Sequence, residues 1–309
     1  MKIFKPDFWN KKNSFISIFL LPISIFLQII LNFKNKFIKE EKISIPVICV
    51  GNIYVGGTGK TPLALEIIKI LEGQDKKAAI IKKSYSEHID EFNLIDSRKA
   101  PLFKSFSRYQ AIQTALKNNF DCVVLDDGFQ DFSIMKNLNI VCFNERQLTG
   151  NSMTLPSGPL REPLSSLKRC QIVMINGNVN FNFEKKIKKI SNSISIYYSK
   201  YLPINIEGLK NKDLIAFAGI GNPENFFNLL EENNLNLVKK ISYPDHYNYS
   251  IKELNELISF SIDNNLKLIT TEKDFFRIKH FQLPEIESVN IKIEISDKIR
   301  FKEELFKYV

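Results

Sequence analysis

One run constrains this chain more than any other. Gly56-Gly57-Thr58-Gly59-Lys60-Thr61 stands between an apolar segment, residues 45–50 (IPVICV), and a helical pattern, residues 62–71 (PLALEIIKIL). Strand, Gly-rich turn, Lys-Thr and helix in that order build a phosphate-binding loop. The glycines let backbone N–H groups close around phosphate oxygens, and the helix N-terminus adds partial positive charge. Lys60 is placed to reach β- and γ-phosphates, and the Thr61 hydroxyl to ligate Mg²⁺. The match is not strict, because Tyr54 stands where the full pattern has its first Gly.

The rest of the chain alternates apolar strand-like runs with helical patterns. Strands are expected at 45–50, 78–82, 121–126, 139–143 and 171–175, with helices at 60–72, 108–118 and 183–190. A second set follows: strands at 213–218, 236–241 and 266–270, helices at 223–233 and 250–264, a last strand at 289–295 and a short helix from Lys298. This rhythm implies a parallel sheet flanked by helices. The expected fold is therefore α/β, a P-loop NTPase-like sheet with a second, smaller α/β lobe. The expected division is an N-terminal helix in 1–40, a P-loop lobe in 41–205 and the second lobe in 206–309.

Residues 13–33 carry no charge, and lysines flank them on both sides. The length suffices to cross a bilayer, but Pro22 interrupts the segment and no A-x-A-like cleavage site follows it. At about 100° per residue, Asn13, Ser14, Ser17, Ser24, Gln28 and Asn32 fall on one arc, and the remainder is mostly Phe, Ile and Leu. Such a helix suits a monotopic membrane anchor, or docks on the protein with its broad apolar face toward lipid. A bilayer-spanning helix and a buried core helix are the alternatives.

A net charge of +9 fits anionic partners without choosing among them. No nucleic-acid-reading motif accompanies it, so no nucleic-acid role is expected. The four cysteines form no CxxC pair or metal pattern, and three lie in apolar runs; buried, reduced thiols are expected.

Several stretches have the chemistry to act with the loop. Residues 122–128 (CVVLDDG) end an apolar run in Asp126 and Asp127, as a strand that helps hold Mg²⁺ does; an Asp-Gly turn is the bland reading. Residues 155–163 (LPSGPLREP) present Arg161, able to neutralise charge on a transferring phosphoryl group, and Glu162, able to ligate Mg²⁺ or fix Arg161. A rigid turn with a surface ion pair explains that stretch equally well. His88-Ile89-Asp90-Glu91 reads as a polar loop, and His246 in Tyr243-Pro244-Asp245-His246-Tyr247 sits at a strand-to-helix connection. Thr271 and Asp274 have capping-box spacing, which is sufficient to explain them.

Together these residues resemble the tetraacyldisaccharide 4′-kinase (lipid A 4′-kinase) family. The stretches that carry the resemblance are PVICVGNIYVGGTGKTP (46–62), LDDGFQ (125–130), LPSGPLREPL (155–164), the 216–225 turn, Pro244-Asp245-His246 and Thr271-Glu272-Lys273-Asp274, in family order. The resemblance implies phosphate transfer from ATP, with Mg²⁺, to the 4′-hydroxyl of a tetraacylated glucosamine disaccharide 1-phosphate at the cytoplasmic face of the bacterial inner membrane. It implies two lobes with the site between them; no protein partner is evident from the sequence. It makes Asp90 the base, with His246 orienting it or sharing its proton, Glu91 a metal-proximal acid, and Arg108 the basic residue before the second acidic strand.

The chain departs from the family pattern in three places. Lys83-Ser84-Tyr85-Ser86 stands for Ser-Arg-Gly-Tyr-Gly, Ile89-Asp90-Glu91-Phe92 for Gly-Asp-Glu-Pro, and Asp131 for a His after Asp-Asp-Gly-Phe-Gln. A rival class, a membrane-associated ATPase switch that phosphorylates no metabolite, carries a Lys before its Gly-rich turn. Val55 occupies that position.

Overall fold

The computed structural model describes residues 6–84 and 89–309, and for residues 89 and 90 the backbone only. In chain order the regular elements are α1 (Phe15–Lys36), β1 (Val47–Gly51), α2 (Lys60–Glu72), β2 (Ala78–Lys83), α3 (Ile89–Ser97), β3 (Leu102–Ser105), α4 (Arg108–Lys117), β4 (Cys122–Asp126) and β5 (Leu138–Asn144). They continue with β6 (Ile172–Asn176), α5 (Phe181–Ile190), β7 (Ser195–Pro203), β8 (Asp213–Ala218), α6 (Pro223–Glu232), β9 (Asn236–Ser242) and α7 (Ile251–Asp263). The last are β10 (Lys267–Thr271), α8 (Glu272–Ile278), β11 (Ile286–Val289), β12 (Ile291–Ile295) and α9 (Lys298–Leu305).

The chain forms two units. Among the described residues, one takes in 6–84, 99–200 and 294–309, and the other 89–98 and 201–293. Two segments are grouped otherwise than the sequence suggests. Residues 89–98 join the second unit, because α3 packs on α8 and Arg98 Nη2 binds both carboxylate oxygens of Glu272 (2.7 and 2.9 Å). Residues 294–309 return to the first unit, where Lys298 meets Glu66 and Phe301 stacks edge-on against Tyr197. The N-terminal helix α1 belongs to the first unit as well.

The first unit holds an eight-stranded sheet in the order β12-β7-β6-β5-β1-β4-β2-β3. The pairs from β7 through β3 are parallel. Central strands β1, β4, β5 and β6 are buried on both faces, so they read as continuous apolar runs. All four cysteines are buried and free, and burial pushes the thiols of Cys49 and Cys122 up to about 11. They are structural hydrophobes.

The second unit holds a four-stranded parallel sheet, β11-β10-β8-β9, with Phe226, Phe227 and Leu230 of α6 packed on one side and Leu254 and Ile258 of α7 on the other. Helix α7 starts on a complete capping box, Ser250 with Glu253.

Four elements differ from the sequence reading, the first being β7, a sheet strand where the mixed stretch 192–205 was expected only to cross between the lobes. The Asp90 stretch, expected as a loop, enters a helix; it shows little apolar periodicity, and its hold comes from α8. The four-residue β3 is half-buried, too short to register as a pattern. The expected strand at 289–295 is two strands parted at Asn290. Helix α1 continues unbroken through Pro22, whose fixed φ is compatible with a helix.

Candidate active site

Ligand sites in parallel α/β sheets gather beyond the carboxyl ends of the strands. In the first unit those ends bring together β1, β2 and β4. The turn after β1 needs backbone that side chains resist: Gly56, Gly57 and Gly59 have φ of 77°, 47° and 89°. Gly59 is the N-cap of α2, so Lys60 and Thr61 open the helix. The loop is braced from two sides. Asn52 Nδ2 donates to Thr58 Oγ1 (2.9 Å) and to the Tyr54 carbonyl (2.6 Å). Arg161 N donates to the Ile53 carbonyl (2.7 Å), and Val55 N to the Pro159 carbonyl (3.0 Å). The stretch that presents Arg161 is thus backbone-paired to the entry of the phosphate loop.

Asp126 ends β4 with no solvent exposure. Its Oδ2 accepts from Thr61 Oγ1 (2.9 Å) and from Lys82 Nζ (2.5 Å). Its Oδ1 has no hydrogen-bond partner. A buried carboxylate oxygen without a donor is costly and rare. A hydroxyl and one carboxylate at the mouth of a phosphate loop are the protein ligands Mg²⁺ takes when phosphates and water supply the rest. The residues therefore fit the ion that the sequence implies.

Asp127 follows with φ 59°, turned away from its neighbour. Arg161 Nη1 reaches both its oxygens (2.9 and 3.1 Å), and Lys60 Nζ lies 3.7 Å from Oδ1. Burial works to raise its pKa, but Lys60 and Arg161 outweigh that and hold the carboxyl well below the usual range. The two cations best placed for phosphate are thus both parked on one carboxylate.

Arg161 and Glu162, readable in sequence as a pair, do not pair with each other. Glu162 accepts from Arg169 and from Gln130 Nε2 (3.0 Å), and burial raises its pKa against the pull of Arg169. Arg108 is buried. It donates to Asp131 (2.8 Å) and to the Asp127 carbonyl (2.7 Å), clamping the turn that carries both acids. Asp131, one of the departures from the family pattern, thereby has a defined role as the counter-ion of Arg108.

Helix α1 meets the same loop with its polar arc. Asn151 Nδ2 donates to Ser17 Oγ (3.0 Å), Ser24 Oγ to the Thr154 carbonyl (3.0 Å) and to Ser157 Oγ (2.7 Å), and Gln28 Nε2 to the Arg161 carbonyl (3.1 Å). Ser17 and Ser24 are fully buried, whereas Phe15, Phe19, Phe26 and Phe33 are each more than 60% exposed. The helix is inside out for a soluble protein, polar face in and apolar face out. It is long and apolar enough to cross a membrane.

The second unit carries the remaining expected residues. The side chain of Asp90, like His88, lies outside the described residues; the Asp90 backbone sits in α3. Glu91 Oε1 accepts from Lys273 (2.6 Å). His246 has φ 56°, its Nδ1 lies 3.3 Å from Arg277 Nη2, and its Nε2 lies 3.9 Å from Asp245. Asp274, expected as a helix cap, is one, and more. Thr271 Oγ1 accepts from its backbone N–H, and the carboxylate gathers Thr271 Oγ1 (2.7 Å), Gly219 N (3.0 Å), Tyr249 OH (2.9 Å) and Arg277 Nη1 (2.6 Å). Complete burial raises its pKa, opposed first by Arg277. Sequence reasoning missed Lys82, Arg277 and Tyr249, and no local pattern marks any of them.

Comparison with known proteins agrees with this geometry. The family model LpxK, tetraacyldisaccharide-1-P 4′-kinase, matches residues 16–104 and 90–309. The tetraacyldisaccharide 4′-kinase of Pelagibacter ubique is 42% identical over 99% of this chain and 98% of its own length. That of Rickettsia bellii is 31% identical over 99% of both. A crystal structure of LpxK from Aquifex aeolicus in complex with ATP superposes with a TM-score of 0.73 at 25% identity, covering 95% of this chain and 99% of that one.

Proposed function

Since this chain belongs to the tetraacyldisaccharide-1-P 4′-kinase family, we propose that it moves the γ-phosphoryl group of ATP to the 4′-hydroxyl of a tetraacylated glucosamine disaccharide 1-phosphate. The observation that carries the reading is the Thr61–Asp126 pair, with its unpartnered carboxylate oxygen, beside a phosphate loop flanked by Lys60 and Arg161. ATP lies along residues 56–61, whose N–H groups and helix N-terminus receive its phosphates. Thr61 and Asp126 would hold Mg²⁺, which would supply positive charge against the phosphates. Asp127, Glu162 and Glu91 remain further metal-proximal acids in this reading.

The 4′-oxygen attacks the γ-phosphorus in line. The bond from that phosphorus to the β–γ bridging oxygen breaks, ADP leaves, and the hydroxyl proton passes to Asp90, oriented by His246. Lys60 and Arg161 leave Asp127 for the more highly charged phosphates and stabilise the charge on the transferring group. Charge neutralisation contributes more than base catalysis, which is worth typically about 10²–10⁴-fold.

Helix α1, held by its polar arc, turns its phenylalanines and isoleucines outward as a lipid-facing surface flanked by Lys34 and Lys36. Basic flanks suit anionic headgroups. The enzyme then sits as a monotopic protein on the cytoplasmic face of the inner membrane, with the acyl chains of its substrate left in the bilayer.

The test is transfer of label from γ-labelled ATP to detergent-dispersed tetraacyldisaccharide 1-phosphate. Wild type should label the lipid, and Lys60→Ala should lose about 10³-fold or more in rate, more than Asp90→Ala loses. Release of free phosphate with no labelled lipid would overturn the proposal in favour of an ATPase switch.

A further inference from the structure

A histidine can serve a carboxylate base in two ways, by donating a ring N–H to it or by taking its proton. The surroundings of His246 select one. It lies in the connection between β9 and α7 with φ 56°, a conformation sparsely populated by residues other than glycine. One hold on it is its backbone N–H, which donates to the Gly219 carbonyl (3.0 Å). Arg277 Nη1 donates to the same carbonyl (2.7 Å) and to Asp274 Oδ1 (2.6 Å). This close approach needs glycine, since a Cβ at 219 would stand 2.7 Å from Tyr249 OH and 3.1 Å from Asp274 Oδ1. With backbone and guanidinium pinned to one oxygen, Arg277 Nη2 comes to 3.3 Å from His246 Nδ1.

The chemistry of that contact is one-sided. A guanidinium has five N–H donors and no acceptor, and it is not deprotonated in proteins. Nδ1 therefore meets Arg277 with its lone pair, and the ring hydrogen sits on Nε2. A water or an amide could turn round to offer an acceptor; Arg277 cannot. Asp274 is fully buried and Arg277 nearly so, and a charge-assisted bond in such surroundings holds the guanidinium in place. Nε2 has a carboxylate oxygen, Asp245 Oδ1, 3.9 Å away, the kind of group that attracts an N–H and repels a lone pair.

We propose that Arg277, anchored by Asp274, is a positioning residue that locks His246 in its Nε2–H tautomer, so that His246 orients the base by donating a hydrogen bond and takes no proton from the substrate. This rests on the reading of His246 as the partner of Asp90, and it narrows that reading. Nε2 already carries a proton, and a second one on Nδ1 would face the guanidinium. The proton of the 4′-hydroxyl therefore stays on the carboxylate as ADP leaves.

The first test is ring-nitrogen NMR of the full chain with ¹⁵N-labelled histidine. There are only three histidines to assign, and His246→Ala identifies the signal of interest. In wild type, Nε2 of His246 should be protonated and Nδ1 bare. A proton on Nδ1 would overturn the proposal. Arg277→Gln supplies an amide that can turn its oxygen to Nδ1, so the Nδ1–H form should appear. Its kcat for lipid phosphorylation should fall about tenfold or more, within the roughly 10²–10⁴-fold that general-base catalysis supplies, with KM for ATP unchanged. In a His246→Ala background the same substitution should cost kcat nothing further. An equal loss in both backgrounds would make Arg277 merely structural and overturn the proposal. Should Arg277→Gln not fold, His246→Gln decides, because it keeps an N–H near the place of Nε2 and has no basic nitrogen. It should retain most of the activity that His246→Ala loses, and an equal loss in the two would overturn the proposal. Wild-type kcat in His246→Ala would instead remove the underlying reading of His246 and leave the tautomer result standing.

Discussion

Asp126 and Asp274 are each fully buried and each lie where a parallel strand gives way to its next turn, one in each unit of the chain. Their surroundings are otherwise opposite. Asp274 has a donor for every lone pair that matters: a hydroxyl, a backbone N–H, a phenol and a guanidinium, drawn from three separate segments. Asp126 has two donors crowded on one oxygen and none on the other. The first arrangement is finished, and it ties β8, α7 and α8 together. The second is incomplete in the way a ligand site is, because a buried carboxylate oxygen left unpaired calls for a further partner. Among buried carboxylates, saturation therefore separates structural from functional ones more sharply than burial does.

The comparison can be broken most severely at Asp274. Asp274→Ala should cost about 3–5 kcal/mol, because the nearly buried Arg277 loses the carboxylate it pairs with and α8 loses a contact at its first turn. Urea denaturation of the full chain measures this, and a loss under about 1 kcal/mol would mean that the network is ornamental. A far smaller effect is expected at Glu253, whose pKa is lowered by hydrogen bonds from Ser250 and Tyr247. Its folded value lies below its unfolded one, so its stabilisation is complete above the ordinary Glu range, about 4.3, and fades as pH falls through the folded value. Glu253→Gln should flatten the acid side of the stability profile and leave the neutral side nearly level. An unchanged profile would show that the capping box contributes no pH dependence.

The sequence made the phosphate loop, the acidic strand end and the polar arc of α1 legible for one reason. Their chemistry depends on residues a few positions apart, where spacing determines geometry. The α1 arc was readable as a docking face because Ser17, Ser24 and Gln28 recur at helical spacing. Asp90 and His246 became visible only through resemblance to a family, since nothing local distinguishes them from an acid in a polar stretch and a structural His. Lys82 was illegible altogether: the sequence has 43 Lys and Arg, and only the pairing of β2 with β4 buries this one against Asp126. Helix α3 was missed because its hold is an ion pair between Arg98 and Glu272, 174 positions apart. The partners of Glu162 were missed because Arg169 and Gln130 reach it from opposite directions along the chain.

The most direct test sets the two carboxylates side by side. Wild type, Asp126→Asn and Asp274→Asn are melted with and without Mg·ATP at a concentration that stabilises wild type by about 2.7 kcal/mol, roughly a hundredfold above its Kd. The account predicts that Asp126→Asn loses that stabilisation, while Asp274→Asn melts earlier than wild type and keeps it. A full wild-type response in Asp126→Asn, or its loss in Asp274→Asn, would contradict the assignment of the metal–nucleotide site.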